Sequence, residues 1–460
     1  MKSDPLNGKT IAVLGFARQG KSLARWLPTI GANVRVSDGK TAEQLALNPD
    51  DYPGVEFVLG GHPPELLDGA DVLCISGGVP LDLPIVLEAI RRGIRVMNDA
   101  QLFMERCPAP IIGITGSAGK TTTTTLTGMI MKESGFKTWV GGNIGDVLLD
   151  VLPQISRTDR VVMELSSFQL EIMTISPPYA AVLNVTPNHL DRHGTMENYL
   201  NAKAQILDHQ VFTDGQTDTA VLGWDDPGSH ALEDRVIGRL CWFSATSMVG
   251  NGAFTAGRRL ILVGDSSPDG DPHVIIERDD IPLRGDHNVL NVLAACAITG
   301  AAGASIDAMR NVIRDFTGVP HRLEIVRLFE GVTYVNDSIA TAPERVAAAL
   351  KSFTEPLVLL LGGRDKKLPW DEMIVLALAR SRHIVLFGEA APMIKGVIER
   401  IDPHFSAVTQ VDTLDAAVAC ARDTAHRGDV VLLSPGGTSY DAYVDFAERG
   451  EHFRRLVNAF

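Results

Sequence analysis

The chain has 460 residues, a formal net charge of -14 and 45% hydrophobic residues. That length exceeds one ordinary core and predicts about three domains, which the hydrophobic fraction is sufficient to fill. The acidic balance argues against broad binding to nucleic acid or to an anionic membrane, so small molecules are the expected partners. Five scattered cysteines without a Cys-x-x-Cys pair, a polar amino terminus and the lack of an apolar run of ~18 residues predict a cytoplasmic protein with reduced thiols.

The first third of the chain has the pattern of a Rossmann-like unit. An apolar strand at residues 10–15 leads into a turn around Ala17, an apolar helix follows, and a second strand ends at Asp38. Ala17 replaces the middle glycine of the dinucleotide fingerprint, so a nicotinamide cofactor is not supported, and a plain strand-to-helix turn is the alternative. A second glycine-rich turn, at residues 76–80, either cradles a phosphate or is an ordinary turn.

The strongest single signal is a glycine-rich turn within residues 111–125, which read IIGITGSAGKTTTTT. Its glycines allow backbone N–H groups to turn inward around an anion. Lys120 adds positive charge at the start of the next helix, and Thr121 places a hydroxyl where a magnesium ion would sit. Ile114 stands where the strict Walker pattern has glycine, so this is a shorter variant of the phosphate-binding turn. A glycine-rich turn without a ligand is the alternative.

Polar side chains follow the next two buried strands. Glu164 comes directly after residues 160–163, at the sheet edge where open α/β proteins bind ligands, and can hold magnesium directly or through water. His189 follows the strand at residues 180–185, and Lys203 lies on the helix after it. Taken alone, His189 is better explained as a hydrogen-bonded loop histidine and Lys203 as a surface lysine.

Two further sets of residues in the middle third either bind a nucleotide or only stabilise the local backbone. Trp224, Asp225 and Asp226 either border a nucleotide or form a turn. Asn288 and Asn291 are three residues apart, which places them on one helical face suited to contact a base or a ribose. The alternative for them is helix capping, because asparagine is common near helix starts.

The last third alternates strands and helices and predicts another doubly wound α/β domain. Its strands are expected at residues 332–335, 357–361, 383–387 and 430–433. The predicted fold class is therefore α/β with three domains: a Rossmann-like amino-terminal domain, a central P-loop ATPase-like domain and a carboxyl-terminal Rossmann-like domain. The predicted boundaries are 1–108, 109–318 and 319–460.

Several strings occur in a characteristic order along nearly the whole chain. They are TGSAGKTT at 115–122, GGNIG at 141–145, ELSSFQLE at 164–171, LNVT at 183–186, HLDR at 189–192, FTGVPHR at 316–322, LLSP at 432–435 and FAERG at 446–450. In this set the chain resembles the Mur ligase family, the ATP-dependent amino-acid ligases of peptidoglycan synthesis, and is most similar to its D-glutamate-adding members. The variant spacing of the phosphate turn is part of that family's pattern.

The resemblance implies four sets of binding residues. The UDP-substrate would contact Gly15, Ala17, Arg18, Gln19, Asp38, Ser76, Asn143 and Ser166. ATP would contact Gly116, Ser117, Ala118, Gly119, Lys120, Thr121, Thr122, Asn288, Asn291, Arg322 and Asp337. Two magnesium ions would be held by Thr121, Glu164, His189 and Lys203. Glutamate would contact Thr341, Lys366, Ser439 and Phe446.

The same resemblance implies which residues are catalytic, namely Lys120, Glu164, His189 and Lys203. A cationic lysine would repel magnesium, and the family's solution is carbamylation by carbon dioxide, which would convert Lys203 into an anionic oxygen ligand.

The implied activity is the ATP-dependent addition of D-glutamate to UDP-N-acetylmuramoyl-L-alanine through an acyl phosphate. We expect a cytoplasmic monomer with no nucleic-acid or membrane partner, which serves cell-wall synthesis and hence cell shape and division. One alternative is a related Mur-type or folylpolyglutamate-type ligase that uses another amino acid, such as L-glutamate, because the sequence does not fix chirality. A non-catalytic nucleotide-binding homologue is the other.

The chain departs from the family pattern in two places. Ile339 stands where a lysine is usual, and Gly-Gly-Thr at residues 436–438 replaces a frequent Ala-Cys-Ala. The first departure removes one positive charge near the transferred phosphate or the incoming glutamate. We expect Arg364, Lys366 or Lys367 to supply that charge instead.

Overall fold

The computed structural model describes residues 4–144, 147–213, 215–283, 285–366 and 368–460, without the side chain of Asp191. By internal contacts the chain divides into two compact units, Met1–Phe316 and Thr317–Phe460. The first unit contains two large sheets and the second contains one. Gly145 of the GGNIG string and Lys367, one of the candidate compensating charges, lie outside the described residues.

The amino-terminal sheet has five parallel strands in the order β3-β2-β1-β4-β5. The strands are β1 (Thr10–Leu14), β2 (Asn33–Asp38), β3 (Val55–Leu59), β4 (Val72–Ile75) and β5 (Arg95–Met97). The helices are α1 (Arg18–Thr29), α2 (Pro84–Arg91) and α3 (Asp99–Met104). The strand order changes direction between β1 and β4, so a ligand crevice is expected at their carboxyl ends, next to Gly15 and Ser76.

The central sheet has nine strands in the order β16-β15-β14-β13-β12-β9-β6-β8-β7, and β10 and β11 form a separate hairpin. The strands are β6 (Ile111–Thr115), β7 (Thr138–Gly142), β8 (Arg160–Glu164), β9 (Tyr179–Val182), β10 (Phe212–Thr213), β11 (Gln216–Thr217), β12 (Thr219–Gly223), β13 (Arg239–Ser244), β14 (Gly252–Ala256), β15 (Arg259–Gly264) and β16 (Gly270–Glu277). Only β15 and β16 are added antiparallel to their neighbours within this described sheet.

The helices of the central part are α4 (Lys120–Glu133), α5 (Leu148–Val151), α6 (Ser167–Leu170), α7 (Leu190–His193), α8 (Met196–Asp208), α9 (Pro227–His230), α10 (Asp286–Ala301) and α11 (Ile306–Asp315). Strand β6 lies inside the central sheet, where its five residues are all buried, and α4 and α8 pack against it. The alanine-rich α10 packs against α4, because small side chains allow two helices to approach closely. This packing places the start of α10 beside the phosphate turn.

The second unit has six strands in the order β17-β18-β22-β19-β20-β21. The strands are β17 (Glu324–Phe329), β18 (Val332–Asn336), β19 (Leu357–Gly362), β20 (Ser381–Phe387), β21 (Val408–Gln410) and β22 (Val430–Gly436). The helices are α12 (Pro343–Leu350), α13 (Asp371–Arg380), α14 (Ala391–Ile401), α15 (Leu414–Thr424) and α16 (Phe446–Asn458). Among the described residues of this sheet, the strand pairs are parallel except β17 with β18.

The predicted α/β fold class is confirmed by these three sheets. The four strands predicted for the last third are β18, β19, β20 and β22, whereas the edge strands β17 and β21 were not predicted. β17 is mostly half-buried and β21 has three residues, so neither has the continuous apolar run of a central strand. The exact domain boundaries stay predictions. No helix in the described ranges is long and apolar enough to cross a membrane.

Candidate active site

The predicted phosphate turn lies between β6 and α4. Gly119 has a φ of +82°, and a Cβ on it would lie 2.1 Å from Asn291 Oδ1, so glycine is strongly favoured here. α4 begins at Lys120, and Lys120 Nζ donates a hydrogen bond to the Gly116 carbonyl at 2.8 Å. The turn therefore combines the amino end of a 14-residue helix with an ammonium group, an arrangement that favours an anion.

Asn184 holds the phosphate turn from the end of the neighbouring strand. Its Nδ2 donates to the Ala118 carbonyl at 3.1 Å, and its Oδ1 accepts from the Ala118 N–H at 2.8 Å. Ser117 Oγ donates to the Thr186 carbonyl at 3.0 Å. Asn184 lies within the LNVT string, but no role was predicted for it.

Glu164 is buried at the end of β8 and accepts hydrogen bonds on both carboxylate oxygens. Oε2 accepts from Thr121 Oγ1 at 2.9 Å, and Oε1 accepts from Asn143 Nδ2 at 2.8 Å. The predicted residues Glu164 and Thr121 are therefore in contact, and the side-chain amide of Asn143 also binds the Glu164 carboxylate. Carboxylate and hydroxyl oxygens are the hard donors that magnesium prefers.

Lys203 is 1% exposed, and its Nζ donates to the Gly116 carbonyl at 2.9 Å. Burial lowers the pKa of its ammonium group well below the usual value, the nearby charge of Lys120 lowers it further, and Glu164 opposes both effects. The surface-lysine alternative is therefore wrong. A buried amine with a lowered pKa spends more time neutral and nucleophilic at a given pH.

His189 precedes α7 and has a left-handed φ of +54°, a conformation that is uncommon outside glycine. Its exposed ring lies 5.0 Å from the ring of Phe168, edge to face. Over the part of the chain that the structure describes, no group of three or more His, Cys, Asp and Glu side chains is placed to hold a metal. The predicted ligand set also contains a hydroxyl and a modified lysine, and it stays a prediction.

A cavity of about 280 Å³ adjoins the phosphate turn. Its lining includes Gly119, Asn184, Asp225, Asp226, His287 and Asn291. Asn291 Nδ2 donates to Asn288 Oδ1 at 3.0 Å, so the two predicted asparagines are in contact on α10. Asp225 accepts from Ser244 Oγ at 2.6 Å, and Asp226 caps α9. Both acids therefore border the cavity and also stabilise their own loops.

The predicted UDP-substrate residues of the first sheet lie at its carboxyl edge. Gly15 follows β1 with a φ of +88°, Ser76 follows β4 and Asp38 ends β2. Asp38 Oδ2 accepts from the Phe16 N–H at 2.7 Å. Ser76 Oγ is buried and has no hydrogen-bond partner among the residues described. Ser166, from the central sheet, caps α6.

Arg18 links the first sheet to the central one. It begins α1, between Ala17 and Gln19, and its Nη2 donates to the carbonyls of Gly142 at 3.2 Å and Asn143 at 3.3 Å. Asn143 also holds the Glu164 carboxylate. Two predicted UDP-substrate residues are therefore connected to the predicted metal carboxylate through hydrogen bonds.

The second unit brings two of the four predicted glutamate residues into contact. Lys366 Nζ donates to Thr341 Oγ1 at 3.1 Å, and burial lowers the pKa of that ammonium group. Ser439 is buried beyond the end of β22, and Phe446 begins α16. Asp337, a predicted ATP residue, is also buried.

Two hydrogen bonds hold the Asp337 carboxylate in this buried position. Ser434 Oγ donates to it at 2.8 Å and the Leu323 N–H at 3.2 Å. Burial nevertheless raises its pKa to about 7. Arg322, also predicted to contact ATP, lies just before β17.

The FAERG string contains a buried cation for which no role was predicted. Arg449 is fully buried and donates to the Ser338 carbonyl at 2.9 Å and to the Gly437 carbonyl at 3.2 Å. Burial lowers its pKa to about 10. The guanidinium therefore ties the loop after β18 to the loop after β22.

Three residues were expected to supply the charge that Ile339 lacks, and the structure describes two of them. Ile339 is half-buried. Arg364, one candidate charge, has its Nε 2.8 Å from Glu389 Oε2, so its charge is balanced by a neighbour. Lys366 contacts Thr341 two residues from Ile339, which makes it the better placed of these two.

The sheet order, the glycine turn and the buried strand ends define an α/β protein of the P-loop type. Three family profiles match consecutive segments: "Mur ligase MurD-like, N-terminal domain" at residues 9–98, "Mur ligase middle domain" at 114–299 and "Mur ligase, glutamate ligase domain" at 321–437. The chain belongs to the Mur ligase family.

Named relatives match over nearly the full length. A UDP-N-acetylmuramoylalanine--D-glutamate ligase of Symbiobacterium thermophilum is 40% identical over 454 residues, which cover 97% of each chain. The enzyme of the same name from Alkaliphilus oremlandii is 38% identical over 458 residues, 98% of each chain.

Solved structures share the fold at lower identity. A UDP-N-acetylmuramate-alanine ligase from Thermotoga maritima has a TM-score of 0.54 at 18% identity, and the match covers 98% of this chain and 99% of that one. A UDP-N-acetylmuramoyl-L-alanyl-D-glutamate--2,6-diaminopimelate ligase has a TM-score of 0.56 at 19% identity and 93% coverage of both chains.

Proposed function

We propose that the chain is an ATP-dependent ligase that adds D-glutamate to UDP-N-acetylmuramoyl-L-alanine in the synthesis of peptidoglycan precursors. The observation that carries this proposal is 40% identity, over 97% of each chain, with a relative named for that reaction. The site agrees chemically, because a phosphate turn, a buried carboxylate and a buried lysine lie next to one another.

The reaction activates a carboxylate and then forms an amide. An oxygen of the L-alanyl carboxylate attacks the γ-phosphorus of ATP, the bond from that phosphorus to the bridging oxygen breaks, and ADP leaves. The amine of D-glutamate attacks the acyl carbon, and the tetrahedral intermediate collapses as the carbon–oxygen bond to phosphate breaks. The amine loses a proton, and the products are an amide, ADP and phosphate. The protein's task is mainly positioning and charge stabilisation.

Lys120 and the start of α4 supply positive charge for the phosphate oxygens. Lys120 Nζ is held over the turn by the Gly116 carbonyl at 2.8 Å, so it is already positioned before a nucleotide binds. Asn291 on α10 borders the same turn and contacts Asn288, and both would contact the base or the ribose. Such preorganised groups need little rearrangement as charge develops.

Magnesium, when bound, offsets charge on the transferring phosphate. Thr121, Glu164, His189 and a carbamylated Lys203 would hold two ions. The Thr121 hydroxyl and the Glu164 carboxylate, 2.9 Å apart, are suitable oxygen donors. Carbamylation is supported by the lowered pKa of Lys203: the neutral amine attacks carbon dioxide, a nitrogen–carbon bond forms and a proton is released, which leaves an anionic carbamate.

The UDP moiety would bind along the carboxyl edge of the first sheet, where Gly15, Asp38 and Ser76 lie. The amino acid would bind in the second unit, where Lys366 is held at Thr341 and can pair with a side-chain carboxylate. We place the reaction in the cytoplasm and expect a monomer.

Phosphate release from ATP tests this function with the purified chain. Release should require both UDP-N-acetylmuramoyl-L-alanine and D-glutamate, and L-glutamate and D-aspartate should substitute poorly. Equal rates with L-glutamate would favour a ligase of other specificity. No release with any amino acid, despite ATP binding, would favour a non-catalytic homologue.

A further inference from the structure

Arg192 joins the glycine-rich turn of the first sheet to the central domain. Its Nη1 donates to the Gly77 carbonyl at 3.2 Å, and its Nη2 donates to the Val79 carbonyl at 2.8 Å. The guanidinium carbon lies 4.1 Å from the ring centre of Phe168. The Arg192 side chain is 20% exposed, so these contacts are partly shielded from water.

The contact with the Gly77 carbonyl determines which way the next N–H of the turn faces. In a trans peptide the C=O and the following N–H point in opposite directions. Because Arg192 holds the Gly77 carbonyl, the N–H of Gly78 is directed away from the guanidinium. The Val79 N–H donates to the Ser76 carbonyl at 2.9 Å and closes the turn. A turn with an outward N–H beside a buried serine hydroxyl suits phosphate or sugar oxygens.

Contacts on the central-domain side also hold the Arg192 guanidinium in place. Arg192 Nη2 lies 3.3 Å from Glu171 Oε1, and the other oxygen of Glu171 lies 3.5 Å from His193 Nδ1. The His193 ring stacks on Phe168 with ring centres 5.2 Å apart and 9° between planes. The carboxylate therefore orients Arg192: Nη2 contacts both Glu171 and the Val79 carbonyl, while Nη1 contacts the Gly77 carbonyl.

The same aromatic ring supports a predicted metal ligand. Phe168 contacts His189 edge to face, with ring centres 5.0 Å apart, while the guanidinium of Arg192 lies over it. One ring thus touches the residue that holds the turn and the histidine on the catalytic side. If either Arg192 or His189 moved, its contact with the Phe168 ring would change.

We propose that Arg192 is a positioning residue for the UDP-substrate: it holds the 76–80 turn in its binding orientation and, through Phe168, at a fixed place relative to His189. This inference rests on the proposed function, since the turn is predicted to bind that substrate.

The test compares Arg192→Lys with Arg25→Lys in the full-length chain. A lysine is a point donor that cannot span two carbonyls as the guanidinium does. Arg25 is a matched control, because it also links the first sheet's helix α1 to the central α5, through Asp150 at 2.9 Å, but does not contact the turn. Calorimetry measures the Kd of UDP-N-acetylmuramoyl-L-alanine and of ATP for each protein, and kinetics measure KM and kcat.

Arg192→Lys should weaken UDP-substrate binding by about tenfold and raise its KM, because one charge-assisted hydrogen bond is lost. The Kd of ATP should stay unchanged, and the melting temperature should fall by no more than a few degrees. Arg25→Lys should bind both ligands as the wild type does. Phe168→Leu is a second variant that keeps the guanidinium donors, and it should weaken UDP-substrate binding by about threefold.

Unchanged UDP-substrate affinity in Arg192→Lys would overturn the inference. An equal loss of ATP affinity would also overturn it, because that result indicates a general structural role. If the wild type binds the UDP-substrate but does not turn it over, the proposed function is contradicted. The comparison of binding between the variants still tests the role of Arg192 in that case. A wild type that does not bind the UDP-substrate would contradict both.

Discussion

Thr121 Oγ1 lies 2.9 Å from Glu164 Oε2 and donates a hydrogen bond to it. The hydroxyl comes from the first turn of α4 and the carboxylate from the end of β8, so the phosphate turn and the neighbouring strand end meet at this contact. Asn143 holds the other carboxylate oxygen at 2.8 Å. The carboxylate is therefore fixed beside the site where ATP phosphates and magnesium are proposed to bind.

Replacement of this carboxylate tests its proposed role at magnesium. Glu164→Gln keeps the shape and an oxygen acceptor for Thr121 but removes the negative charge. We expect kcat to fall by about 100-fold or more and the magnesium requirement to rise, because a neutral amide is a poorer ligand for a hard cation. Steady-state kinetics at several magnesium concentrations measure both effects.

Glu133→Gln is the control for Glu164→Gln. Glu133 is exposed at the far end of α4, 3.4 Å from Asn311 Nδ2, so its replacement should leave activity unchanged. Wild-type kinetics and an unaltered magnesium dependence in Glu164→Gln would contradict a role for this carboxylate at the metal.

A methyl group on Gly119 would collide with Asn291, and we predict that this collision weakens ATP binding. Gly119→Ala would place a Cβ 2.1 Å from Asn291 Oδ1 in a residue with a φ of +82°. Left-handed backbone alone costs about 1–2 kcal/mol per residue, and the contact must also displace Asn291. We expect ATP affinity, measured by calorimetry, to fall by about tenfold or more as the turn shifts.

Gly135→Ala separates backbone strain from that contact. Gly135 follows the other end of α4 with a φ of +90° and has nothing within 4 Å of an added Cβ. Gly135→Ala should therefore lower the melting temperature without changing ATP affinity. Equal ATP affinities for Gly119→Ala and the wild type would show that the turn tolerates the displacement.

The proposed carbamylation of Lys203 predicts a dependence on dissolved carbon dioxide. The pKa of Lys203 is lowered by burial, so its amine is neutral and reactive over a wider pH range than a surface lysine. Removal of carbon dioxide should lower activity, and bicarbonate should restore it. Carbon-13 NMR of protein equilibrated with labelled carbon dioxide should show a carbamate signal that Lys203→Arg lacks. The same signal in Lys203→Arg would assign the carbamate elsewhere.

The buried Asp337 predicts a pH effect on stability. Burial raises its pKa to about 7 in the folded chain, from the ordinary 3.8. The folded state therefore binds more protons than the unfolded state between these values. The contribution of the protonated carboxyl is complete below pH 3.8 and is lost as the pH rises through about 7.

Asp337→Asn imitates the protonated carboxyl and isolates this effect. Its melting temperature relative to the wild type should increase between pH 5 and 8, as thermal melts without nucleotide would show. Asp371→Asn, at an exposed carboxylate paired with Arg400, is the surface control. A gap between Asp337→Asn and the wild type that is constant with pH would show that the carboxyl does not titrate in this range.

The sequence was most informative where side-chain pattern and chain geometry coincide. The turn before Lys120 follows from its glycines, and the central strands of the second unit follow from their continuous apolar runs. Glu164 ends β8 as predicted, because the last residue of a buried strand emerges at a sheet edge, whereas its role at magnesium stays a prediction.

The contacts between distant segments could not be predicted in this way. Lys203 resembles a surface lysine along the chain, and only the packing of α8 against the phosphate turn buries it. The bonds from Arg18 to residues about 125 positions away and from Arg192 to the first sheet depend on how two sheets are joined, which local pattern does not encode. Arg449 lies within the FAERG string, but the pattern of an amphipathic helix gives no sign that this arginine is fully buried.

Transfer of oxygen-18 tests the central claim most directly. UDP-N-acetylmuramoyl-L-alanine labelled with oxygen-18 in its alanyl carboxylate is incubated with the chain, ATP, magnesium and D-glutamate, and the phosphate and the amide product are analysed by mass spectrometry. If the carboxylate is activated as an acyl phosphate, one labelled oxygen appears in the released phosphate for each D-glutamyl amide formed. Unlabelled phosphate, or phosphate released without the amide, would contradict the account.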